Sequence, residues 1–217
     1  MNRILTLPKL FLFFGFILLL SGCKTGEDDP FISFRSRDNR LKANWKMTQM
    51  ENRYEIRSFE PGEFPITTVI DAKFDGLDMQ VQTYVNGSLA SDSTFGFSYQ
   101  MKLKDDGQST YDYTIIYFGL AGLKSGGEDT WYWLNTDKKK ARVYLGSALQ
   151  FPTTAGLPLQ AVPLLTFALG SLITDFSVDG LRKDELQLSF DKATQQTTAT
   201  GGQQQLIINN KMSFKSN

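Results

Sequence analysis

The stretch that decides the fold reads Phe95-Gly-Phe97-Ser-Tyr99-Gln-Met101-Lys-Leu103. Apolar or aromatic side chains occupy every second position, and small or polar side chains stand between them. Because successive side chains of a β-strand point to opposite faces, this alternation predicts a strand with one dry face and one wet face. Such strands are typical of antiparallel sheets and barrels, since strands of parallel α/β sheets are buried on both faces.

The neighbouring stretches repeat this period of two. The apolar side chains Leu77, Met79, Val81 and Val85 fall on one face of residues 77–85, and the turn-forming pair Asn86-Gly87 follows. The turn Asp105-Asp106-Gly107 leads into residues 110–118, whose side chains on one face are those of Tyr111, Tyr113, Ile115 and Tyr117. Together these stretches predict a strand–turn–strand meander.

Further strands are predicted along the rest of the chain, at residues 45–47, 131–134, 141–145, 172–178, 185–190 and 206–214. The glycines of residues 119–127 lack dinucleotide or P-loop spacing, so this stretch is interpreted as a flexible loop. The polar run 194–205 is either an exposed loop or a polar edge strand. Eight to ten strands joined by short turns predict an all-β, antiparallel up-and-down barrel, preceded by a short helical or irregular cap over residues 31–41.

Composition excludes several classes of function. The 217 residues hold 23 basic and 23 acidic side chains, without a basic stripe, which argues against nucleic acid as a partner. There is no histidine, which removes the commonest zinc ligand and the usual general base. The single cysteine can form no internal disulfide, so packing must hold the fold together.

Candidate acids do not form a recognisable catalytic or metal motif. Asp71, Asp112 and Asp175 lie in strand-like runs and are the side chains that a glycosidase-type carboxylate pair would need, but alternation favours the wet face for each. Neither Asp105-Asp106 nor Glu27-Asp28-Asp29 has the spaced oxygen ligands of a calcium loop. We therefore assign no catalytic residue, metal or cofactor, and expect a protein that is not an enzyme.

The N-terminal sequence predicts where in the cell the protein is located. Arg3 and Lys9 precede an apolar run, residues 10–20, that is too short to cross a bilayer as a mature helix, and Leu20-Ser21-Gly22-Cys23 follows. This sequence resembles the lipobox of bacterial lipoproteins, in which the cysteine is acylated and becomes the mature N-terminus. The resemblance implies a signal peptide at residues 1–22, lipid on Cys23 and anchorage in the outer membrane. Two or more acyl chains hold a protein firmly.

Residues 23–30 form a short polar and acidic stretch, typical of a solvated tether. The same residues resemble the acidic export signals of surface-exposed lipoproteins of the Bacteroidetes group, which implies exposure at the cell surface. If residues 23–30 are only a linker, they do not indicate which side of the membrane the domain faces.

The start of the domain, from Phe31 to Trp45-Lys46-Met47, is similar to that of lipocalin-like lipoproteins of the same bacterial group. The wider lipocalin pattern has Gly-x-Trp in the first strand, and this chain has Ala43-Asn44-Trp45. The resemblance spans most of residues 31–215, predicts a single lipocalin-like barrel domain over residues 31–217, and implies that Trp45 plugs one end of the barrel beneath a basic side chain. The candidates for that side chain are Arg35, Arg40, Lys211 and Lys215.

Aromatic side chains are the candidate ligand-binding residues, namely Phe97, Tyr99, Tyr111, Tyr113, Tyr117, Trp131 and Trp133. A barrel of this size is either filled by side chains or hollow enough for one small ligand, and aromatics suit both. Two functions follow. The first is a lipid-anchored barrel that binds or carries a small apolar ligand, and the alternative is a surface module with a filled barrel that binds a protein or glycan.

No residue between Arg142 and Asp175 is charged, so residues 143–174 form an uncharged segment. The helix breakers Pro152, Pro158 and Pro163 argue against a membrane span. Three interpretations stay open: a lid laid across the barrel, a patch that contacts lipid or a partner, and an ordinary strand preceded by a loop.

Overall fold

The computed structural model describes residues 36–116, 124–134, 141–146 and 175–217. In these residues the fold is all-β, with one short helix. Cys23, the tether, Arg35, Tyr117 and residues 147–174 of the uncharged segment lie outside the described residues. Within the described part of the chain, no helix is long and apolar enough to cross a membrane.

One helix and eleven strands make up the described fold. The helix, α1, covers Arg37–Leu41. The strands are β1 (Asn44–Phe59), β2 (Ile66–Phe74), β3 (Asp78–Val85), β4 (Ser88–Leu103), β5 (Gln108–Ile116), β6 (Lys124–Thr130), β7 (Tyr132–Trp133), β8 (Arg142–Tyr144), β9 (Asp175–Leu181), β10 (Glu185–Thr197) and β11 (Gln203–Ser216).

These strands form one antiparallel sheet in the order β6-β5-β4-β3-β2-β1-β11-β10-β9-β8-β7. The start of β1 also pairs with the end of β4, through Trp45 and Met101. The β2–β3 turn lies beside this pairing of β1 with β4. There the amide of Phe97 in β4 donates to the carbonyl of Leu77 in the turn at 3.0 Å. The strands at the two ends of the order, β6 and β7, are separated in the chain by Trp131 alone. The prediction of an antiparallel all-β sheet is therefore confirmed, and the described strands outnumber the eight to ten expected.

The prediction of a flexible loop over 119–127 is wrong for residues 124–127, which belong to β6 and pair with β5. Glycine suits this strand because β5 approaches closely. A Cβ on Gly126 would lie 2.6 Å from the carbonyl oxygen of Tyr111, and one on Gly127 would lie 2.8 Å from the Tyr111 hydroxyl. Glycine marks a close approach of strands here rather than a break in the sheet.

The polar run 194–205 is resolved as strand at both ends. Residues 194–197 end β10, residues 203–205 begin β11, and the two pair with each other from Thr194↔Leu206 to Thr197↔Gln203. Both strands lie inside the sheet order. Glutamine side chains support the pairing, since Gln195 donates to Gln203 at 2.8 Å and Gln196 to Gln204 at 2.7 Å.

The core is a single cluster on the inner face of the sheet, to which the strands contribute alternate side chains. Its largest fully buried members are Trp45, Tyr54, Tyr99, Phe176, Phe214, Leu41, Met47, Ile70, Met101, Ile115 and Leu145. Burial of each such side chain is worth about 1.5–3 kcal/mol. The period of two in the sequence thus predicted which face would be dry.

The cap packs at one end of this sheet. Ser36 is the N-cap of α1, and its hydroxyl accepts from the amide of Asn39 at 3.3 Å. Leu41 is fully buried. Arg37 and Arg40 donate to the carbonyls of Val178 and Leu181, which docks the helix on β9. We call this the helix end of the sheet.

Candidate functional site

The candidate site is the inner face of β4 and β5. Tyr99 lies opposite Tyr113 in the register of these strands, Met101 lies opposite Tyr111, and Phe97 lies opposite Ile115. Because register partners point to the same face, four of the predicted ligand-binding side chains come together here. Phe97 and Tyr99 are buried, whereas Tyr111 and Tyr113 remain half-buried.

Contacts with neighbouring aromatic rings hold the side chains of Phe97 and Tyr99 in place. The Phe97 ring meets Phe74 edge-on, with centroids 5.3 Å apart, and Tyr99 meets Phe214 at 6.3 Å. Burial, with smaller contributions from Tyr111 and Asp112, raises the pKa of Tyr99 well above its ordinary value. Tyr99 is therefore a neutral hydroxyl at physiological pH.

The two predicted tryptophans lie instead at the helix end. Trp131 is buried, and its Nε1 donates to the Lys104 carbonyl at 2.9 Å. Trp133 donates from Nε1 to Oδ1 of Asp38 in α1 at 2.5 Å. These hydrogen bonds tie β7 and the residue before it to the β4–β5 turn and to the helix. Tyr117, the remaining predicted residue, lies outside the described part of the chain.

Trp45 has the buried position that the resemblance implies, but two of the four candidates for its basic cover lie on the opposite face of the sheet. Its exposure is 0%, and its Nε1 donates to the Leu41 carbonyl at 2.7 Å. Lys211 and Lys215 alternate outward from β11 and are exposed. Among the described residues the cation–π contact joins Arg37 and Trp133. The proposed cover of Trp45 by Lys211 or Lys215 is therefore wrong, because both lysines alternate along β11 with the inward side chains of Met212 and Phe214.

Sequence reasoning missed a polar group on the inner face. Asn52 of β1 and Asn210 of β11 are buried register partners, and Thr83 of β3 faces Ser91 of β4. A signal was present, since Asn52 stands in phase with Met50 and Tyr54 in the period-two pattern. A polar residue in the dry phase of a strand is thus the sequence signal for such a buried polar group.

The candidate acids lie on the outer face. The carboxylate of Asp71 accepts two hydrogen bonds of 3.0 Å from Nη1 of Arg53, and Asp175 forms an ion pair with Arg142. Asp112 is exposed. In the described ranges, no group of three or more histidine, cysteine or acidic side chains could hold a metal ion.

A groove of about 640 Å³ lies on the outer face beside the β2–β3 turn, and nine of its eleven lining residues are polar or charged. Glu51 is one of its lining residues, and its register partners on the two neighbouring strands are Lys73 and Lys211. A second groove of about 410 Å³ shares Gln49, Asp75 and Ser213 with the first. This charged surface faces solvent, whereas the aromatic face points into the core.

Comparisons with protein-family models, with curated proteins and with solved structures found no match to this chain.

Proposed function

We propose that the chain is a lipid-anchored lipoprotein of the outer membrane, exposed at the cell surface, whose lipocalin-like barrel binds or carries a small apolar ligand. It acts by binding, not by catalysis. The observation that carries the proposal is the aromatic inner face of β4 and β5, where Tyr111 and Tyr113 stay half-buried beside the buried Phe97 and Tyr99. Half-buried aromatics on an inner face provide an apolar wall with hydroxyls that can orient a ligand.

Closure of the sheet into a barrel is part of the proposal. β6 and β7 stand at opposite ends of the strand order, yet they follow one another in the chain. The segment 124–133 pairs with β5 through its first part and with β8 through its last part. A segment paired in this way joins the two sides of a sheet, and closure removes exposed edges.

The ligand is tested on the full chain purified from membranes. Small molecules are extracted from the washed protein and quantified per chain, for the wild type and for Tyr113→Ala. The matched control is Tyr132→Ala, because Tyr132 is 51% exposed and stacks on Tyr144 away from the aromatic face. We expect a stoichiometric apolar molecule that is lost in Tyr113→Ala and kept in Tyr132→Ala. Equal extracts from the two variants would contradict the proposed wall.

The lipid anchor is tested by labelling cells with an alkyne fatty acid. The wild-type chain is expected to take up the label and to sediment with membranes, whereas Cys23→Ser should remain unlabelled. An equally labelled Cys23→Ser chain would show that Cys23 is not the acylated residue.

The outer groove favours the alternative function, a surface module that binds a protein or glycan. Most of the residues that line it are polar or charged, and Glu51 is the register partner of both Lys73 and Lys211. Reversing both lysine charges would abolish binding to cell-surface material under the alternative. The same change would leave a ligand of the inner face unaffected.

A further inference from the structure

Two pairs of polar side chains interrupt the apolar inner face, and we call Asn52, Asn210, Thr83 and Ser91 the polar belt. Asn52, Asn210 and Thr83 are exposed to 3%, 2% and 1%. In the described part of the chain, each of the four has a buried oxygen without a hydrogen-bond partner. These atoms are Oδ1 of the asparagines, Oγ1 of the threonine and Oγ of the serine.

The register of the strands brings the two pairs to adjacent levels of the inner face. Ile70 of β2 lies opposite Tyr54 on one side and Thr83 on the other. Asn52 is two residues from Tyr54 on β1, and its Nδ2 donates to the Tyr54 hydroxyl at 3.5 Å. The Tyr54 hydroxyl therefore adjoins the belt.

The next level toward the helix end is entirely apolar. Its side chains, joined by strand register, are those of Met50, Phe74, Met79, Phe95, Leu188 and Met212. The belt itself holds no charge. Among the described residues, the buried charged side chains are Arg37 and Arg40, which belong to α1 and donate to carbonyls of β9.

Stability does not explain the belt. A buried polar atom without a partner costs about 1–3 kcal/mol, whereas replacing both members of a polar pair by apolar groups of similar shape is close to neutral or stabilising. Buried polar atoms in native proteins are nearly always paired. Acceptor oxygens that the chain leaves without donors fit a molecule that brings donors of its own.

We infer that the polar belt is the head-group site for a neutral amphipathic molecule. The apolar body of this molecule contacts the apolar level and the aromatic face, and its hydroxyl or amide N–H donates to the belt oxygens. A charged head group is disfavoured, because the belt offers no opposite charge to offset desolvation. This inference rests on the proposed ligand-binding function and names the chemical class of the ligand.

The test compares three probes that share one apolar body: naphthalene, 2-naphthol and 2-naphthoate. The full chain is reconstituted into vesicles of an anionic phospholipid, whose charged head group the belt disfavours, and equilibrium dialysis against the same vesicles without protein measures probe bound per chain. We expect 2-naphthol to bind about tenfold more tightly than naphthalene, as one or two buried hydrogen bonds predict, and more tightly than 2-naphthoate.

Variants connect this preference to the belt. Asn52→Leu/Asn210→Leu should bind naphthalene and 2-naphthol equally, while its urea midpoint stays unchanged or rises. Thr83→Val, which keeps the shape of the side chain, should lower the preference severalfold. Ser109→Ala is the matched control. Its hydroxyl is also buried and without a partner among the described residues, but Ser109 pairs with Leu103 at the helix end.

Each other outcome has a separate meaning. Equal binding of naphthalene and 2-naphthol by the wild type overturns the head-group site and leaves an apolar-ligand function standing. A preference that survives in Asn52→Leu/Asn210→Leu, or that is lost in Ser109→Ala, also overturns the belt as its cause. Failure of all three probes to bind overturns the proposed ligand-binding function itself.

Discussion

The guanidinium carbon of Arg37 lies 5.7 Å from the centroid of the Trp133 ring. The indole nitrogen of the same tryptophan donates to Asp38, the next residue of α1, at 2.5 Å. One side chain of β7 thus makes two contacts with consecutive residues of the helix. A cation–π contact contributes about 0.5–2 kcal/mol, and a hydrogen bond to a charged group about 1.5–3 kcal/mol. These contacts hold the cap on the sheet.

Trp133→Phe keeps an aromatic ring beneath Arg37 but removes the N–H group that donates a hydrogen bond to Asp38. We expect this change to lower the free energy of unfolding by about 1.5–3 kcal/mol, as measured by urea titration. Tyr132→Phe, on the exposed neighbour, should cost less than about 0.5 kcal/mol. Equal costs for the two variants would mean that the Trp133 hydrogen bond does not stabilise the cap.

Alanine at Gly126 and at Gly127 should destabilise the sheet for different reasons. Each added Cβ meets Tyr111, but at Gly126 it meets the backbone carbonyl and at Gly127 the end of the side chain. Both variants are expected to lose about 1–3 kcal/mol of unfolding free energy. In a Tyr111→Ala background the cost of Gly127→Ala should disappear, while that of Gly126→Ala should persist. If Tyr111→Ala removed the destabilisation of both glycine variants, or of neither, the proposed contacts of the two Cβ atoms would be wrong.

The hydrogen bonds to the Asp75 carboxylate in the β2–β3 turn predict that the stability of the fold decreases in acid. The amides of Asp78 and Leu77 donate to its carboxylate and lower its pKa below the ordinary value. Because the folded pKa is the lower one, the stabilisation is present above the unfolded value of about 3.9 and is lost as pH falls through the folded value. Asp75→Asn keeps an acceptor oxygen and should remove this part of the acid loss. Unfolding curves at successive pH values below about 4 measure it.

Two buried tyrosines predict an alkaline loss of stability. Burial raises the pKa of Tyr54 and of Tyr99. Above about pH 10 the unfolded chain ionises these hydroxyls while the folded chain does not, so the stability present below that pH falls as pH rises toward the folded pKa. Tyr54→Phe should flatten the fall in urea midpoint between about pH 10 and 11.5. The same slope in Tyr54→Phe would mean that Tyr54 ionises normally.

Local pattern was sufficient for several strands. Residues 95–103 alternate cleanly, and residues 77–85 and 110–118 alternate with exceptions such as Thr83 and Ile116. Strands β3, β4 and β5 contain nearly all of these residues that the structure describes. The same alternation predicted that Phe97 and Tyr99 share one face of their strand and that Tyr111 and Tyr113 share one face of theirs. Pattern did not predict β6, because glycine has no side chain to alternate, and its place depends on the approach of β5.

The sequence by itself determined the period of two, and with it an antiparallel all-β fold and the identity of its dry side chains, because side-chain direction in a strand is a local property. Only the tertiary structure decided which strands are neighbours. Register between distant segments placed Asn210 beside Asn52, and contacts with the β4–β5 turn and with α1 placed Trp131 and Trp133 at the helix end. Such pairings depend on residues far apart in the chain, which no local pattern encodes.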